Sequence, residues 1–177
     1  MLWSRAFSRR LKCCHKKMDK EKTIEDTEKE IVEEFSLFDS WDDKYEYIID
    51  LGKKLPALDD QFKIDKNKVR GCQSTVWLVA DYENGKVWFR ADSDAVIVKG
   101  LISMLIRVLS GHKPEDIIEA KLGFIPEIGM TTHLAQTRSN GLLSMVKQMK
   151  NFALAFKMKK ELSQHDHGYR SAERKGN

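Results

Sequence analysis

One cysteine in this chain stands where a sulfur nucleophile could work. Cys72 lies in Val69-Arg70-Gly71-Cys72-Gln73-Ser74, just ahead of a run that alternates apolar and polar residues. Gly71 frees the backbone beside it, so the thiol can stand on a loop tip rather than inside a strand. Lys68 and Arg70 are near in sequence. A cation aimed at the sulfur favours the thiolate, the nucleophilic form. The same residue also reads as a small buried hydrophobe at the start of a strand. The local sequence carries both readings.

Missing partners narrow the chemistry. Gln73-Ser74-Thr75 follow Cys72, so there is no Cys-x-x-Cys dithiol. The sixth residue after Cys72 is Leu78 rather than arginine, which removes the phosphate-cradling loop of cysteine phosphatases. A thiol hydrolase needs a histidine base. His112 and His133 are the body's two histidines, and each sits in a turn-like polar context. Cys13-Cys14-His15 lacks zinc-finger spacing and has no second ligand pair. His165 and His167 read as solvated tail residues. A cluster or zinc site needs several thiolates and the body has one, so no metal site is assigned. What remains is a lone accessible cysteine that can carry a group.

The elements that must position Cys72 follow from periodicity. Thr23 with Asp26 resembles a capping box, and Ile24, Ile31, Phe35 and Phe38 give an acidic amphipathic helix over 23–38. Ser40 opens a second helix with Trp41, Tyr45, Ile48 and Ile49 inward and Gly52 as its C-terminal cap. Residues 59–70 read as a surface loop. From Ser74 the period is two, Asn84-Gly85 marks a turn, and the period resumes through Asp92. This is a β-hairpin over about 74–92. Ser93 or Asp94 caps a helix with Val98, Leu101, Ile102, Leu105 and Leu109, ended by Gly111. Pro114 fits the first turn of a short helix. Residues 121–125 read as a third strand or an irregular crossing. Ser139 or Asn140 caps a last helix carrying Leu142, Leu143, Val146, Met149, Phe152 and Phe156. The sum is an α+β fold, a small antiparallel sheet with helices packed on one face.

The chain has 177 residues, which predicts one domain. It contains no run of 18 apolar residues, the signature of a membrane-spanning helix. Its net charge of +4 suggests a polyanion partner until it is divided by region. Residues 1–17 carry +6, residues 157–177 carry +3, and the middle holds 19 basic against 24 acidic residues. The basicity belongs to the ends, and the acidic body argues against a nucleic-acid partner. The segment 1–17 reads as a disordered extension or a start upstream of the native one, with Met18 the alternative start; its Arg-rich, acid-free amphipathic pattern also allows a targeting or surface-association segment. A single domain is assigned to 18–158 and a disordered tail to 159–177. Three cysteines cannot close a disulfide set, which points to a reducing, cytoplasmic compartment.

At this point the residues resemble a known family. Val69-Arg70-Gly71-Cys72-Gln73-Ser74-Thr75-Val76-Trp77 is similar to the active-cysteine motif of the SufE sulfur acceptors. The likeness continues through Phe89 to Ala95 and Ile97 to Leu101. It resumes at Ser110-Gly111, Pro114-Glu115 and Thr137-Arg138-Ser139-Asn140-Gly141-Leu142. It spans about 24–158 and omits the basic start and the tail. The resemblance implies a fold similar to the U-type iron–sulfur scaffold proteins. It also implies an accessory protein that takes persulfide sulfur onto Cys72 from a SufS-like cysteine desulfurase, stimulates that enzyme, and hands the sulfur to the SUF scaffold complex. Pyridoxal phosphate then belongs to the partner, and this chain needs no cofactor. Arg70, Gly71, Gln73 and Arg138 are assigned to loop support or partner contact. A homodimer is left open, and no nucleic acid or membrane partner is expected. The alternative reading is an independent cysteine-dependent hydrolase or transferase.

Overall fold

The computed structural model describes residues 22–173. The basic start, with Cys13, Cys14 and His15, lies outside them, as do the side chains of His165 and His167. Two acidic helices open the fold, α1 (Ile24–Ser36) and α2 (Trp41–Lys54). Thr23 and Asp26 form the reciprocal capping box, and Ser40 caps α2 by accepting from Asp43 N–H. Two short 3₁₀ turns, Asp60–Phe62 and Asp65–Asn67, occupy the polar stretch read as a loop. The hairpin follows as β1 (Val76–Glu83) and β2 (Lys86–Ser93), antiparallel, with Val76 opposite Ser93 and Glu83 opposite Lys86. Asn84 and Gly85 take φ of 52° and 82°, the left-handed pair that a two-residue hairpin turn requires.

Five helices complete the chain. They are α3 (Val96–Leu109), α4 (Pro114–Glu119), α5 (Phe124–Glu127), α6 (Met130–His133) and α7 (Gln136–Glu173). The core lies where α3 packs between the hairpin and α1–α2, with Leu101, Ile102, Leu105 and Leu109 fully enclosed. Val76, Leu78, Val87, Phe89 and Ala91 form the buried face of the hairpin. Leu142, Met145, Met149 and Ala153 form the buried stripe of α7. No helix among the described residues is long and apolar enough to cross a membrane. Arg107 of α3 grips Glu34 of α1 in a two-pronged contact of 2.6 and 2.8 Å, and Tyr47 of α2 donates to the same carboxylate at 2.6 Å. Burial and that carboxylate push the Tyr47 hydroxyl up to about 12.

Several expectations are corrected. The sheet has two strands, so residues 121–125 are not a third. Leu122 takes φ 53°, which breaks any extended run, and Phe124 begins a helical turn. The described residues add two isolated bridges to the hairpin, Lys68 with Trp77 and Val87 with His112. Gly52 is not a cap but lies inside α2 at its crossing with α3. A Cβ there would stand 2.8 Å from the Gly100 nitrogen, and one on Gly100 would stand 2.1 Å from the Ile48 carbonyl oxygen. The paired glycines let two helix backbones touch. Helix α7 begins at Gln136, before the expected cap, and runs past residue 159 to Glu173 rather than ending in a tail. Lys157 to Leu162 are good helix formers, and the helix then continues through Gly168. Leu143 points outward, 65% exposed, because Leu142 and Met145 already define the inward face.

The strand end before α3 is anchored by a buried acid. The Asp92 carboxylate meets Lys63 at 3.0 Å and Lys99 at 2.8 Å, and accepts from Ser93 N–H at 2.9 Å. Burial works to raise its pKa, but the hydrogen bonds from Lys99 and Lys63 outweigh it and the net shift is downward. Ser93 and Asp94 do not cap α3 by the usual bond. They face Thr75 instead: Ser93 Oγ donates to its carbonyl at 2.9 Å, and Asp94 Oδ1 accepts its N–H at 3.0 Å.

Two outcomes follow from this framework. Gly100→Ala forces α2 and α3 apart and destabilises the protein by about 2–3 kcal/mol, read as a lower urea midpoint with the slope unchanged. A variant as stable as wild type would remove the close crossing. Asp92→Asn leaves Lys99 without its acid and Lys63 with only the exposed Asp60 at 3.2 Å, and costs about 2–3 kcal/mol at neutral pH. Because the native carboxyl sits below its unfolded value, its contribution is complete above pH ~4 and fades as pH falls through the native titration. The stability gap between wild type and variant therefore narrows in acid, and a gap constant with pH contradicts the assignment.

Candidate functional site

The loop bearing Cys72 is closed at its base. Val69 N–H donates to Val76 O at 2.8 Å, Lys68 pairs with Trp77 as an antiparallel bridge, and Thr75 is held by Ser93 and Asp94. Inside this clamp the chain must reverse, and Gly71 supplies the reversal with φ 88°. It also lies close to α7, since a Cβ on Gly71 would stand 2.8 Å from Ser144 Oγ. A side chain at 71 is thus opposed chiefly by conformation, and Ser144 Oγ would have to rotate away to admit one.

The loop lays Cys72 against the first turns of α7. The thiol is half-buried, and Sγ donates to the Gly141 carbonyl at 3.4 Å. A Cβ on Gly141 would sit 3.5 Å from that sulfur, an ordinary contact distance, so the thiol packs directly against this turn of α7. Burial pushes the Cys72 thiol above its ordinary value. Lys68 is engaged with Asp65 at 2.6 Å, and burial is the cause that acts on the thiol, so the sequence-adjacent cations do not make it a resting thiolate.

Beside the sulfur opens a cavity of about 220 Å³. Cys72, Gln73 and Ser74 form one wall, Val98 of α3 and Met145 of α7 the floor, and Ala135, Arg138 and Gly141 the remainder. Of the four supporting residues expected from sequence, Gln73 and Arg138 line this cavity. Gly71 shapes the loop behind it, and Arg70 is exposed outside the lining. Arg138 sits in the first turn of α7, where its N–H donates to Ala135 O at 2.8 Å. No carboxylate among the described residues pairs with its guanidinium. No histidine lines the cavity. His133 stacks on Trp41 at 4.1 Å, and His112 lies beside β2, where burial pushes its pKa down. Among the described residues neither of these imidazoles lines the cavity. Among the described residues no cluster of three or more metal-ligating side chains occurs.

Ser74, quoted in the cysteine motif, was assigned no role although it lines the cavity, and sequence reasoning missed Val98, Ala135, Gly141 and Met145 as parts of the site. Gly141 carried a signal, because a glycine within a helix costs stability and calls for a packing reason. The other three are apolar residues on or beside helices, and nothing in their type separates a cavity wall from a core position.

Comparison with known proteins agrees with this architecture. The SufE family, described as an Fe-S metabolism associated domain, matches residues 29–153. A SufE-like protein of Rhizobium meliloti is 39% identical over 130 residues, covering 70% of this chain and 92% of that protein. One from Synechocystis is 41% identical over 128 residues, covering 72% and 80%. The SufE-like protein 1 of Arabidopsis thaliana, chloroplastic/mitochondrial, is 41% identical over 133 residues, covering 75% of this chain and 36% of its own length. A solution structure of a hypothetical protein from Thermus thermophilus shares the fold, with TM-score 0.61 at 22% identity, covering 73% of this chain and 94% of that one. The chain belongs to the SufE family of Fe-S metabolism associated domains.

Proposed function

We propose that this protein is a sulfur acceptor that takes persulfide sulfur onto Cys72 from a SufS-like cysteine desulfurase, stimulates that enzyme, and passes the sulfur to a SUF scaffold complex. The observation that carries the reading is Cys72 itself. It is the cysteine of the family domain, set on a loop closed at its base, with its sulfur at a small cavity. The Cys72 thiolate attacks the terminal sulfur of the desulfurase persulfide. A new bond forms to Cys72 Sγ, the bond to the donor cysteine breaks, and the donor leaves as a thiolate. No electron is gained or lost overall, as in thiol–disulfide exchange.

The surroundings suit a carrier better than a free-standing enzyme. A raised pKa keeps the resting sulfur protonated at neutral pH, and the Gly141 carbonyl gives its S–H an acceptor. Both restrain attack on adventitious electrophiles until the loop is engaged. The loop's fixed base and glycine-bearing tip allow the sulfur to be presented without unfolding the hairpin.

Two measurements test the reading. Cys72→Ser should fold normally and lose all stimulation of the cognate desulfurase. Wild type incubated with cysteine and the desulfurase should gain the mass of one sulfur atom on the Cys72 peptide. Normal stimulation by the variant, or turnover with no added sulfur, would end the proposal. Separately, iodoacetamide should alkylate native Cys72 with a midpoint above the ~8.5 of an ordinary thiol, falling to that value in urea. A native midpoint below the unfolded one would contradict the neutral seat.

A further inference from the structure

The cavity is larger than one sulfur atom needs. At about 220 Å³ it has room for roughly seven waters at ~30 Å³ each, yet it is below the ~300 Å³ at which drug-sized ligands begin to fit. Its wall contains one cation, Arg138, and no carboxylate. That cation has no acidic partner among the described residues. Gln73 and Ser74 add neutral polar groups, and Val98 and Met145 give an apolar floor. Cys72 and Gly141 line the same space, and no side chain at 141 stands between the sulfur and α7. Size, charge and contact with the sulfur together specify an occupant: a small molecule with a carboxylate at one end and a group that meets the sulfur at the other.

We propose that the cavity admits small carboxylate-bearing thiols, of which cysteine is the simplest, and that Cys72 persulfide passes its outer sulfur directly to them. The inference rests on Cys72 as a sulfur carrier but not on which protein loads it. The carboxylate pairs with Arg138 at the exposed mouth, and the thiolate reaches the outer sulfur of the persulfide. A bond forms between the incoming sulfur and that outer sulfur, and the bond from it to Cys72 Sγ breaks. Cys72 leaves as a thiolate and takes up the proton released by the incoming thiol. The products are free Cys72 and a small persulfide, with no net oxidation or reduction. The packing of Sγ against Gly141 directs attack to the outer sulfur. Attack on the inner one would leave a mixed disulfide on the protein instead.

The test loads the full-length protein with inorganic polysulfide, so that no desulfurase is involved, and follows loss of one sulfur mass from the Cys72 peptide. Cysteine is compared with cysteamine, which has a thiol of similar acidity but no carboxylate. Discharge by cysteine should saturate and exceed that by cysteamine about fivefold, the scale of an exposed arginine–carboxylate pair. Arg138→Gln should abolish both the saturation and the preference, and Arg138→Lys should restore part of each. Equal, unsaturated rates for the two thiols, or a preference that survives in Arg138→Gln, overturns the proposal. So does a mixed disulfide on Cys72, or no sulfur uptake from polysulfide. Loading by the desulfurase without a cysteine preference removes this inference alone. A cysteine preference without desulfurase loading removes only the proposed partner.

Discussion

The carboxylate of Asp92 joins three parts of the chain that are distant in sequence. Lys63 comes from the 3₁₀ segment before the cysteine loop, Lys99 from the first turn of α3, and Asp92 from the end of β2. An acid this enclosed is tolerated only with its charge matched, and two lysines match it. The result is a fixed junction, and the neighbouring residues use it. Ser93 and Asp94 are free to hold Thr75, and Thr75 is the outgoing end of the loop that carries Cys72. The incoming end is closed by Val69 against Val76. The sulfur is therefore positioned by the strand pairing and the ion triad rather than by its own few contacts.

This dependence explains which parts of the molecule were legible in the sequence. The hairpin was, because Asn84-Gly85 and a strict period of two are local properties. The starts of α1 and α2 were, because capping is a matter of three or four residues. The roles of Ser93, Asp94, Gly52 and Gly100 were not. Each residue type has a familiar local use, as a cap or a helix stop, and each is diverted by a distant neighbour: Thr75 for the first two, the facing helix backbone for the glycines. The third strand failed for the opposite reason. Its apolar residues suited a strand, but the left-handed backbone at Leu122 cannot be read from composition. Of the site, Cys72 was legible from its motif, and the cavity was not, since its walls come from three elements that only the fold brings together.

Charge is arranged in two different ways across the body. Between α1, α2 and α3 it is concentrated, with Arg107 shared by Glu30 and Glu34 and the latter also bound by Tyr47. This lets a strongly acidic α1 pack beside the apolar α3. Around the sulfur it is sparse. The nearby lysine is committed to Asp65, and the cavity's guanidinium stands at the mouth. The net +4 of the whole chain therefore describes neither place.

A thiol placed this way trades reactivity for persistence. Attack requires the thiolate, and burial favours the thiol. The same enclosure that slows Cys72 as a nucleophile also screens a sulfur already bound to it, because the inner atom faces Gly141 and the α7 backbone rather than open solvent. For a carrier it is coherent, because accepting and releasing sulfur occur only when another molecule reaches the site. On that account the activating group is supplied by whatever docks, and the resting fold contributes a neutral seat and a fixed loop base.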